Sequence, residues 1–417
     1  MSDRAPMPLR EAACEVARRL REAGHEAYFA GGCVRDEILG IAPADYDIAT
    51  DATPERIRGI FPGARDVGEA FGVMLVRLGG RTFEVATFRK DGPYLDGRRP
   101  SAVEFSTARE DAARRDFTIN GIFRRPETGE LVDYFKGQAD IAAGIVRAIG
   151  DPHARIGEDR LRMLRAVRFA ARFSFAIEPA TAEAIRMHAA ELKGVSPERI
   201  GEELRKMLSH PARAAAARLI EELGLDRTVF GGLSDCGPTA GSPRLAGLPE
   251  QASWIAALAA WTLDRTAGGR REFVPVSEVA REGVVEALRA ALVLSNREAD
   301  ALDGILLSRE RIAREFDGGS VAARTRLCAG AGFDDALAIL RSERPADAAR
   351  WRSEADRLLP SRALPRPLLD GADLIAAGLR PGPQFRDLLD AALDAQIEGR
   401  FHDKSAALAW ILERVRR

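Results

Sequence analysis

The sequence has few cysteines and histidines and contains no long apolar run, and each shortage excludes a class of protein. Its four cysteines and five histidines are widely dispersed among 417 residues, which excludes a disulfide framework and a clustered zinc site and indicates reduced thiols. No apolar run approaches the roughly 20 residues of a membrane-spanning helix. The N-terminus also lacks the basic and apolar pattern of a signal peptide. We therefore expect a cytoplasmic protein without membrane contact.

An excess of charge of one sign is missing as well. The 62 lysines and arginines are balanced by 63 aspartates and glutamates, for a formal net charge of −1. This balance excludes a uniformly basic nucleic-acid binder, so any RNA or DNA contact must come from local basic surfaces. Because a chain of this length exceeds one ordinary core, we expect roughly two to four domains.

The chain divides into a part with mixed strand and helix patterns and a longer helical part. Apolar residues at helical spacing predict a helix over residues 9–23, and strand-like runs at 72–76 and 82–86 flank a Gly79-Gly80 turn. Beyond residue 140 or so the strand patterns nearly vanish. The sequence therefore predicts an α/β head followed by all-α regions.

The most informative stretch joins a glycine turn to a pair of aspartates. Gly31 and Gly32 follow a short predicted strand and precede Arg35. Glycine lets the backbone approach a phosphate closely, and arginine offers an oxyanion a planar fork of donors. Asp45 and Asp47 then flank a tyrosine. If these three residues form a strand, its period of two puts both carboxylates on one face.

Such a carboxylate pair is suited to a divalent cation. Mg²⁺ takes hard oxygen ligands and keeps other positions for water and substrate phosphates, as in metal-dependent phosphoryl or nucleotidyl transfer. Mn²⁺ also prefers oxygen ligands, so both ions fit the pattern. The alternative is a loop whose aspartates are merely solvated. The glycine turn beside the aspartates favours the metal site over this alternative.

Four further motifs complete a recognisable set. They are Arg114–Gly121 (RRDFTING), Gly157–Arg162 (GEDRLR), Leu294–Glu298 (LSNRE) and Leu379–Phe385 (LRPGPQF). With the glycine turn and the aspartate pair, their order and spacing resemble the class II, or bacterial-type, CCA-adding tRNA nucleotidyltransferases and their poly(A) polymerase relatives. The resemblance covers essentially the whole chain. Gly121 stands where the family usually has alanine, which is a small departure.

The resemblance implies a particular fold and layout. The head would have the polymerase β-type nucleotidyltransferase fold, and the remainder would be helical. We expect a catalytic head over residues 1–148, a neck for nucleotide selection over 149–222, a body over 223–345 and a tRNA-binding tail over 346–417.

The resemblance also implies an activity. It is the addition of C, C and A to the 3′ end of tRNA from CTP and ATP, without a nucleic-acid template and with release of pyrophosphate. An A-adding tRNA nucleotidyltransferase or a poly(A) polymerase with the same type of head is the alternative. An inactive tRNA-binding protein is more distant, because such a protein would be expected to lack the carboxylates.

The implied catalytic residues are carboxylates. Asp45 and Asp47 would hold Mg²⁺, the implied cofactor, which orients the α-phosphate and eases deprotonation of the attacking hydroxyl. Glu84, in a neighbouring predicted strand, is a candidate third carboxylate, and a solvated strand position is the alternative. Negative charge grows on both the attacking and the leaving group, so we expect catalysis to rest on positioning and charge neutralisation.

Nucleotide contacts are implied for the glycine turn. Gly32 and Arg35 match family positions that contact nucleotide, and Arg35 would face phosphate. The alternative for Arg35 is an ordinary ion pair with Asp36 or Asp45.

The second implied nucleotide-binding motif contains Arg115 and Asp116. It is assigned in the family to nucleotide and ribose recognition. A carboxylate that accepts from a ribose hydroxyl would select ribonucleotides over deoxyribonucleotides. Without the resemblance, the same residues would be interpreted as a solvated charge cluster.

The third implied nucleotide-binding group selects the base. Asp159 and Arg162 are three residues apart, which would place them on one helical face. In the family this pair serves as an amino-acid template, because a carboxylate can accept from the exocyclic amine of cytosine or adenine while guanidinium donates to the ring nitrogen. An intrahelical ion pair is the alternative. Arg165 and Arg168 follow at helical spacing and match further nucleotide-binding positions.

Two more features concern base switching and RNA. The charged, turn-rich segment 89–100 resembles the family's mobile loop that is implicated in switching from C to A, and its presence argues against an enzyme that adds only C. A local basic stripe could contact RNA phosphates. Its members are Arg199, Arg205, Lys206, Arg213 and Arg218.

Overall fold

The computed structural model describes residues 7–67, 72–92, 103–231, 233 and 241–416. These residues form two compact units. The first contains the described residues up to Met207 together with Arg218–Val229, and the second contains Leu208–Ala217 and the described residues from Phe230 onward. The finer four-part division expected from the sequence stays a prediction.

Strands occur in the first unit. In chain order they are β1 (Ala27–Ala30), β2 (Asp47–Thr50), β3 (Arg65–Asp66), β4 (Val73–Leu78), β5 (Arg81–Thr87), β6 (Arg89–Asp91), β7 (Val103–Phe105), β8 (Ile122–Arg124), β9 (Leu131–Asp133), β10 (Ile145–Val146) and β11 (Ala176–Ile177).

The helices up to residue 229 alternate with these strands as far as β11, and the last four follow it. They are α1 (Leu9–Glu22), α2 (Gly32–Ile38), α3 (Pro54–Ile60), α4 (Ala108–Ala113), α5 (Gly137–Ala143), α6 (Pro152–Glu158), α7 (Arg162–Phe173), α8 (Pro179–His188), α9 (Pro197–Leu208), α10 (Arg213–Glu222) and α11 (Asp226–Val229), with 3₁₀ turns at Thr118–Asn120 and Ala189–Gly194.

A mixed seven-stranded sheet with the order β3-β4-β5-β2-β1-β8-β9 organises this unit. The β2–β5 pair is parallel, whereas β2 and β8 both pair with β1 in antiparallel fashion. Helix α1 packs against β1, β2, β4 and β5 through a buried apolar stripe that includes Val16 and Leu20. A second buried cluster contains Tyr28, Phe88 and Phe123. The α/β fold predicted for the head is therefore confirmed.

The aspartate pair departs from the predicted strand. Strand β2 begins at Asp47, so Asp45 and Tyr46 precede it. The alternation of faces nevertheless continues through this segment, because Asp45 and Asp47 are exposed whereas Tyr46 is 5% exposed. The condition that all three residues form a strand is therefore not met, but both carboxylates are exposed on either side of the buried tyrosine.

The predicted helical continuity between Asp159 and Arg162 was also wrong. Helix α6 ends at Glu158, Asp159 is extended (φ −147°, ψ 104°), and α7 begins at Arg162. The Asp159 side chain accepts a hydrogen bond from the backbone N–H of Leu161 at 3.1 Å. Such a local side-chain bond competes with helical hydrogen bonding, which explains why the helix breaks here.

The part of the segment 89–100 that falls on residues 93–100 lies outside the described residues. On either side of it, β6 and β7 pair in antiparallel fashion.

The described cysteines, Cys14, Cys33 and Cys328, are free thiols, in agreement with the expected reduced set, and Cys236 lies outside the described residues.

The second unit is built from helices. They are α12 (Pro243–Ala246), α13 (Trp254–Thr266), α14 (Glu278–Leu292), α15 (Asn296–Glu315), α16 (Val321–Cys328), α17 (Phe333–Glu343), α18 (Pro345–Leu358), α19 (Gly371–Ala376), α20 (Gln384–Ile397) and α21 (Lys404–Arg416). Within it, Arg244 and Arg309 are fully buried and both pair with the Glu343 carboxylate. None of the helices in the described part of the chain is long and apolar enough to span a membrane.

Candidate active site

Three carboxylates, those of Asp45, Asp47 and Glu84, lie at the end of the sheet where β2 begins next to β5. They form the acidic edge of the molecule. The parallel pairing of β2 with β5 begins at Ile48 and Val85, so Asp47 and Glu84 each come directly before a paired residue on adjacent strands. Both side chains are exposed, as is that of Asp45. The period of two puts Asp47 and Glu84 on the same side of the sheet, and Asp45, just before β2, is close enough to Asp47 to interact with its charge.

The electrostatics of this edge centre on Asp47. Surrounding protein atoms reduce its solvation, and the nearby charges of Asp45 and Glu84 act in the same direction, so that the pKa of Asp47 is raised to about 6. Arg115 opposes this shift. A carboxylate crowded by like charges in this way favours either a proton or a bound cation.

The donor set fits a hard divalent cation. Among the described residues, no group of three or more His, Cys, Asp or Glu side chains is arranged to hold a metal ion. Mg²⁺, however, is commonly held by one or two carboxylates and completes its coordination with water and substrate phosphates. Asp45 and Asp47 would supply two such ligands, and Glu84 adds negative charge from the adjacent strand.

The glycine turn that precedes α2 lies close to Arg115. Gly31 has a positive φ of 72°, and a Cβ atom built on it would lie 2.7 Å from Arg115 Nη1. Arg115 donates to the Asp111 carboxylate at 3.1 Å and to the backbone carbonyl of Asn120 at 3.3 Å, and its guanidinium lies over the Phe123 ring. Glycine at position 31 is thus required both by the backbone angle and by the close approach of a cation.

Arg35 lies beneath the turn and is 4% exposed. Its Nε and Nη2 donate to Asp36 Oδ1 at 2.9 and 2.6 Å, and its Nη1 donates to Asn120 Oδ1 at 2.6 Å. The guanidinium also packs on the rings of Phe169 and Phe173. The alternative interpretation, an ion pair with Asp36, is therefore what the structure contains, and the nucleotide contact of Arg35 stays a prediction. Gly32 is the first residue of α2.

Asp116 is buried and forms an ion pair with Arg165, which is about one-third exposed. Asp116 Oδ2 accepts from Arg165 Nε and Nη2 at 2.8 and 2.6 Å. Its Oδ1 accepts from the N–H of Phe117 and from the Asn120 side chain. Burial alone would raise the pKa of Asp116, but the Arg165 charge and these hydrogen bonds lower it to about 2. A ribose hydroxyl would have to replace one of these donors, because a carboxylate has about four acceptor positions.

Asn120 joins these groups, and sequence reasoning did not single it out. Its side chain accepts from Arg35 and donates to Asp116, and its backbone carbonyl accepts from Arg115. Three of the predicted nucleotide-binding residues therefore meet at one buried residue, two at its side chain and one at its backbone carbonyl. The position of Asn120 within the RRDFTING motif was the available signal. A motif alone does not reveal that its side chain connects Arg35 to Asp116.

Asp159 and Arg162 have separate partners. Asp159 Oδ2 accepts from Arg199 at 2.8 Å. Arg162 donates to Glu158 at 2.7 Å and to the backbone carbonyl of Arg114 at 3.2 Å. The intrahelical ion pair between Asp159 and Arg162 that was left open is therefore not formed. Their role in base selection stays a prediction.

Arg168 is held by a buried carboxylate. Its Nε donates to Glu203 at 2.6 Å, and Lys206 reaches the same carboxylate at 3.3 Å. Glu203 is only 2% exposed. The pattern of charges in the sequence does not indicate that this glutamate is buried against Arg168.

One member of the predicted RNA-binding stripe is structural. Arg213 is 2% exposed and donates to the backbone carbonyls of Pro249 and Glu250. Its inclusion as a surface residue was wrong, because this buried arginine donates to backbone carbonyls and is not presented to solvent.

Comparison with known proteins matches two family models. The Poly A polymerase head domain matches residues 27–147, and the "Probable RNA and SrmB- binding site of polymerase A" matches residues 174–236.

Curated relatives match along nearly the whole chain. A CCA-adding enzyme from Geobacillus stearothermophilus is 34% identical over 96% of both chains. One from Limosilactobacillus fermentum is 34% identical over 94% of this chain and 93% of its own.

Solved structures of CCA-adding enzymes are also similar to this chain over nearly its whole length. The Bacillus stearothermophilus CCA-adding enzyme in complex with CTP superposes with a TM-score of 0.79 at 29% identity over 98% of both chains. The Thermotoga maritima CCA-adding enzyme complexed with tRNA, at 20% identity and a TM-score of 0.68 over 97% of this chain and 95% of its own, shares the fold.

Proposed function

The chain belongs to the CCA-adding enzymes, and from this membership we propose that it adds cytidine, cytidine and adenosine to the 3′ end of tRNA. CTP and ATP are the substrates, pyrophosphate is released, and no nucleic-acid template is used. The observation that carries the proposal is the acidic edge of Asp45, Asp47 and Glu84 within a chain that matches these enzymes from end to end. An inactive RNA-binding relative would have no need to retain such mutually repelling carboxylates.

The cofactor that we propose is Mg²⁺, held by Asp45 and Asp47. CCA-adding enzymes are nucleotidyltransferases, which generally use divalent metal. When bound, the ion supplies a Lewis acid that neutralises charge on the α-phosphate and lowers the pKa of the attacking 3′-hydroxyl. Support comes from the raised pKa of Asp47, since the repulsion among the carboxylates is relieved by a cation.

Cationic side chains then position the nucleotide. Arg115, beside Gly31 and close enough to Asp47 to influence its pKa, would contact the triphosphate. Arg35, Arg165 and Arg168 would contribute positive charge around it, together with the backbone at Gly32. Most of these guanidiniums are hydrogen-bonded to carboxylates, which fixes their orientation before the nucleotide arrives. Asp116 would accept from the ribose hydroxyl by exchanging one of its donors.

Base selection is proposed for Asp159 and Arg162. Asp159 Oδ2, which accepts from Arg199, would instead accept from the exocyclic amine of cytosine or adenine, while Arg162 donates to the neighbouring ring nitrogen. Uracil and guanine carry a carbonyl at that position, and facing it with a carboxylate costs about 1–3 kcal/mol. The two side chains can therefore accept C and A while rejecting U and G.

The proposed partner is the 3′ end of tRNA, and the proposed compartment is the cytoplasm. Because the net charge is −1, phosphate contacts must come from local clusters of arginine and lysine. The shape and backbone of the RNA, rather than its sequence, would then determine binding.

Nucleotide addition to defined acceptors tests the proposal. Purified protein is incubated with tRNA lacking its last three nucleotides, with CTP alone, ATP alone and both, and the product ends are sequenced. We expect two C residues with CTP alone and complete CCA with both nucleotides. Addition of A alone to a CC-ended acceptor, with nothing added to the shorter one, would indicate an A-adding enzyme, and long A tracts would indicate a poly(A) polymerase.

A further inference from the structure

Tyr46 separates the two aspartates in sequence and points away from them. Asp45 and Asp47 are exposed, whereas Tyr46 is 5% exposed and packs on the Phe29 ring with a centroid distance of 4.8 Å. Its hydroxyl donates to Glu37 Oε1 at 2.7 Å. A buried tyrosine normally finds a partner for its hydroxyl. Here the partner is a charged group, and such bonds are the stronger ones.

The Glu37 carboxylate is itself fixed by two other elements. Arg10, in the first turn of α1, donates to its Oε1 at 2.9 Å, and Arg124, at the end of β8, lies 3.2 Å from its Oε2. Glu37 belongs to α2, the helix that starts at the glycine turn. The carboxylate therefore connects the tyrosine to α1, α2 and β8 at once.

Asp45 needs such an anchor more than Asp47 does. Asp47 is paired with Ala30 in the ladder between β1 and β2. Asp45 lies before the strand, so ladder hydrogen bonds do not fix its position. The Tyr46 side chain, next to Asp45 in sequence, is then a direct link from this segment to the folded interior. Repulsion among Asp45, Asp47 and Glu84 would otherwise push this segment outward.

We propose that Tyr46, anchored by Glu37, is a positioning residue that holds the Asp45 and Asp47 carboxylates in the geometry needed to share a divalent cation. This inference rests on the proposed function, because it concerns the same metal site. Neither Tyr46 nor Glu37 touches the cation or the substrate. Outer partners of this kind commonly change metal affinity or activity by about 10- to 100-fold when they are altered.

Manganese binding tests the role without depending on turnover. Free Mn²⁺ is measured by electron paramagnetic resonance in titrations of the wild type, Tyr46→Phe, Glu37→Gln and Asp47→Asn. Tyr46→Phe removes only the hydroxyl and keeps the ring on Phe29. Tyr134→Phe is the matched control, because Tyr134 is a 38% exposed tyrosine of the same unit. We expect the dissociation constant for Mn²⁺ to rise about tenfold in Tyr46→Phe, less in Glu37→Gln, and not in the control.

Kinetics and melting separate positioning from general damage. In Tyr46→Phe the metal concentration at half-maximal activity should rise about tenfold, whereas kcat and the KM for CTP at saturating metal should stay near wild type. The melting temperature of Tyr46→Phe should stay near that of the wild type, because the ring still packs on Phe29 and the Glu37 ion pairs with Arg10 and Arg124 remain. The effects of Tyr46→Phe and Glu37→Gln should be less than additive in the double variant, since both weaken one bond.

Different outcomes point to different failures. Wild-type Mn²⁺ affinity in both Tyr46→Phe and Glu37→Gln, with binding lost in Asp47→Asn, would overturn the positioning role while leaving the metal site standing. Undiminished binding in Asp47→Asn would overturn the metal site and the positioning role together. A wild-type protein that binds Mn²⁺ but adds no nucleotide to tRNA would contradict the proposed function instead.

Discussion

Asp47 lies beside two other carboxylates, and its raised pKa has a consequence for stability. With a pKa of about 6 in the folded protein against an ordinary value of 3.8, the fold binds the Asp47 proton more tightly than the unfolded chain does. The stabilising contribution of this residue is therefore complete below pH ~4 and is lost as the pH rises through about 6. At neutral pH the ionised side chain destabilises the head.

Asp47→Asn should accordingly stabilise the protein while abolishing its activity. We expect the free energy of unfolding at pH 8 to rise by about 1 kcal/mol, less than the full electrostatic value because water screens this exposed side chain. At pH 4 the gain should disappear. Thermal unfolding at both pH values measures the difference, with Glu202→Gln on an exposed face of α9 as a charge-removal control. If Asp47→Asn melted at a lower temperature than the wild type at pH 8, the conclusion that Asp45 and Glu84 repel Asp47 would be contradicted.

Asp159 provides the second prediction for a single residue. Asp159→Ala removes the carboxylate that is proposed to distinguish an exocyclic amine from a carbonyl. Incorporation of UMP relative to CMP should then rise about tenfold, as expected for a loss of about 1.4 kcal/mol of discrimination. Competition between UTP and CTP on a tRNA acceptor gives this ratio, and a filter-binding assay should show tRNA affinity within about twofold of wild type. Unchanged base choice would count against the template role.

The glycine turn between β1 and α2 matters at the scale of the element. Gly31→Ala imposes both a strained positive φ and a Cβ atom 2.7 Å from Arg115 Nη1. Gly24→Ala is a matched control, because Gly24 also has a positive φ, 87°, but has nothing within 4 Å of the added Cβ. Each substitution should cost about 1 kcal/mol of stability through backbone strain.

Both substitutions should lower stability, but only Gly31→Ala should also weaken nucleotide binding. Displacing Arg115 is expected to raise the KM for CTP and ATP at least about tenfold, since Arg115 is the charged donor proposed to contact the triphosphate. Steady-state kinetics on CC-ended and shortened acceptors measures the effect. Equal KM values in the two variants would show that Arg115 does not depend on the glycine.

Element-level features were the most predictable from the sequence. The helix expected over 9–23 is α1, and the strands around the Gly79-Gly80 turn are β4 and β5, because local periodicity and turn chemistry determine such elements. The break at Asp159 was missed, since a run of arginines and apolar residues continues the helical pattern on one side of it. A side-chain bond to the Leu161 N–H, which no periodicity reveals, ends the helix there.

The candidate site was predictable in its residue types but not in its internal contacts. Asp47 and Glu84 share one side of the sheet because residues alternate between the two faces of a strand, whereas Asp45 lies before the strand. The pairing of Arg168 with Glu203 and of Asp159 with Arg199 joins residues 35 and 40 positions apart. Such partners depend on how helices pack, and a single sequence contains no signal for that.

At the scale of the whole molecule, catalysis and RNA binding should be separable. The relatives match this chain over nearly its full length, yet the carboxylates of the acidic edge come from a few residues near its start. The near-neutral chain must hold RNA through local cations. Removing an anionic side chain from the acidic edge should therefore leave tRNA affinity intact or slightly improved.

The most direct test measures CMP incorporation and tRNA affinity together in Asp45→Ala and Asp47→Ala. The account predicts that transfer of labelled CMP to a tRNA lacking CCA falls by about 10²-fold or more in each variant, while the dissociation constant for tRNA changes by no more than about twofold. Turnover near the wild-type rate in either variant, at the same tRNA affinity, would contradict the claim that these two carboxylates hold the catalytic cation.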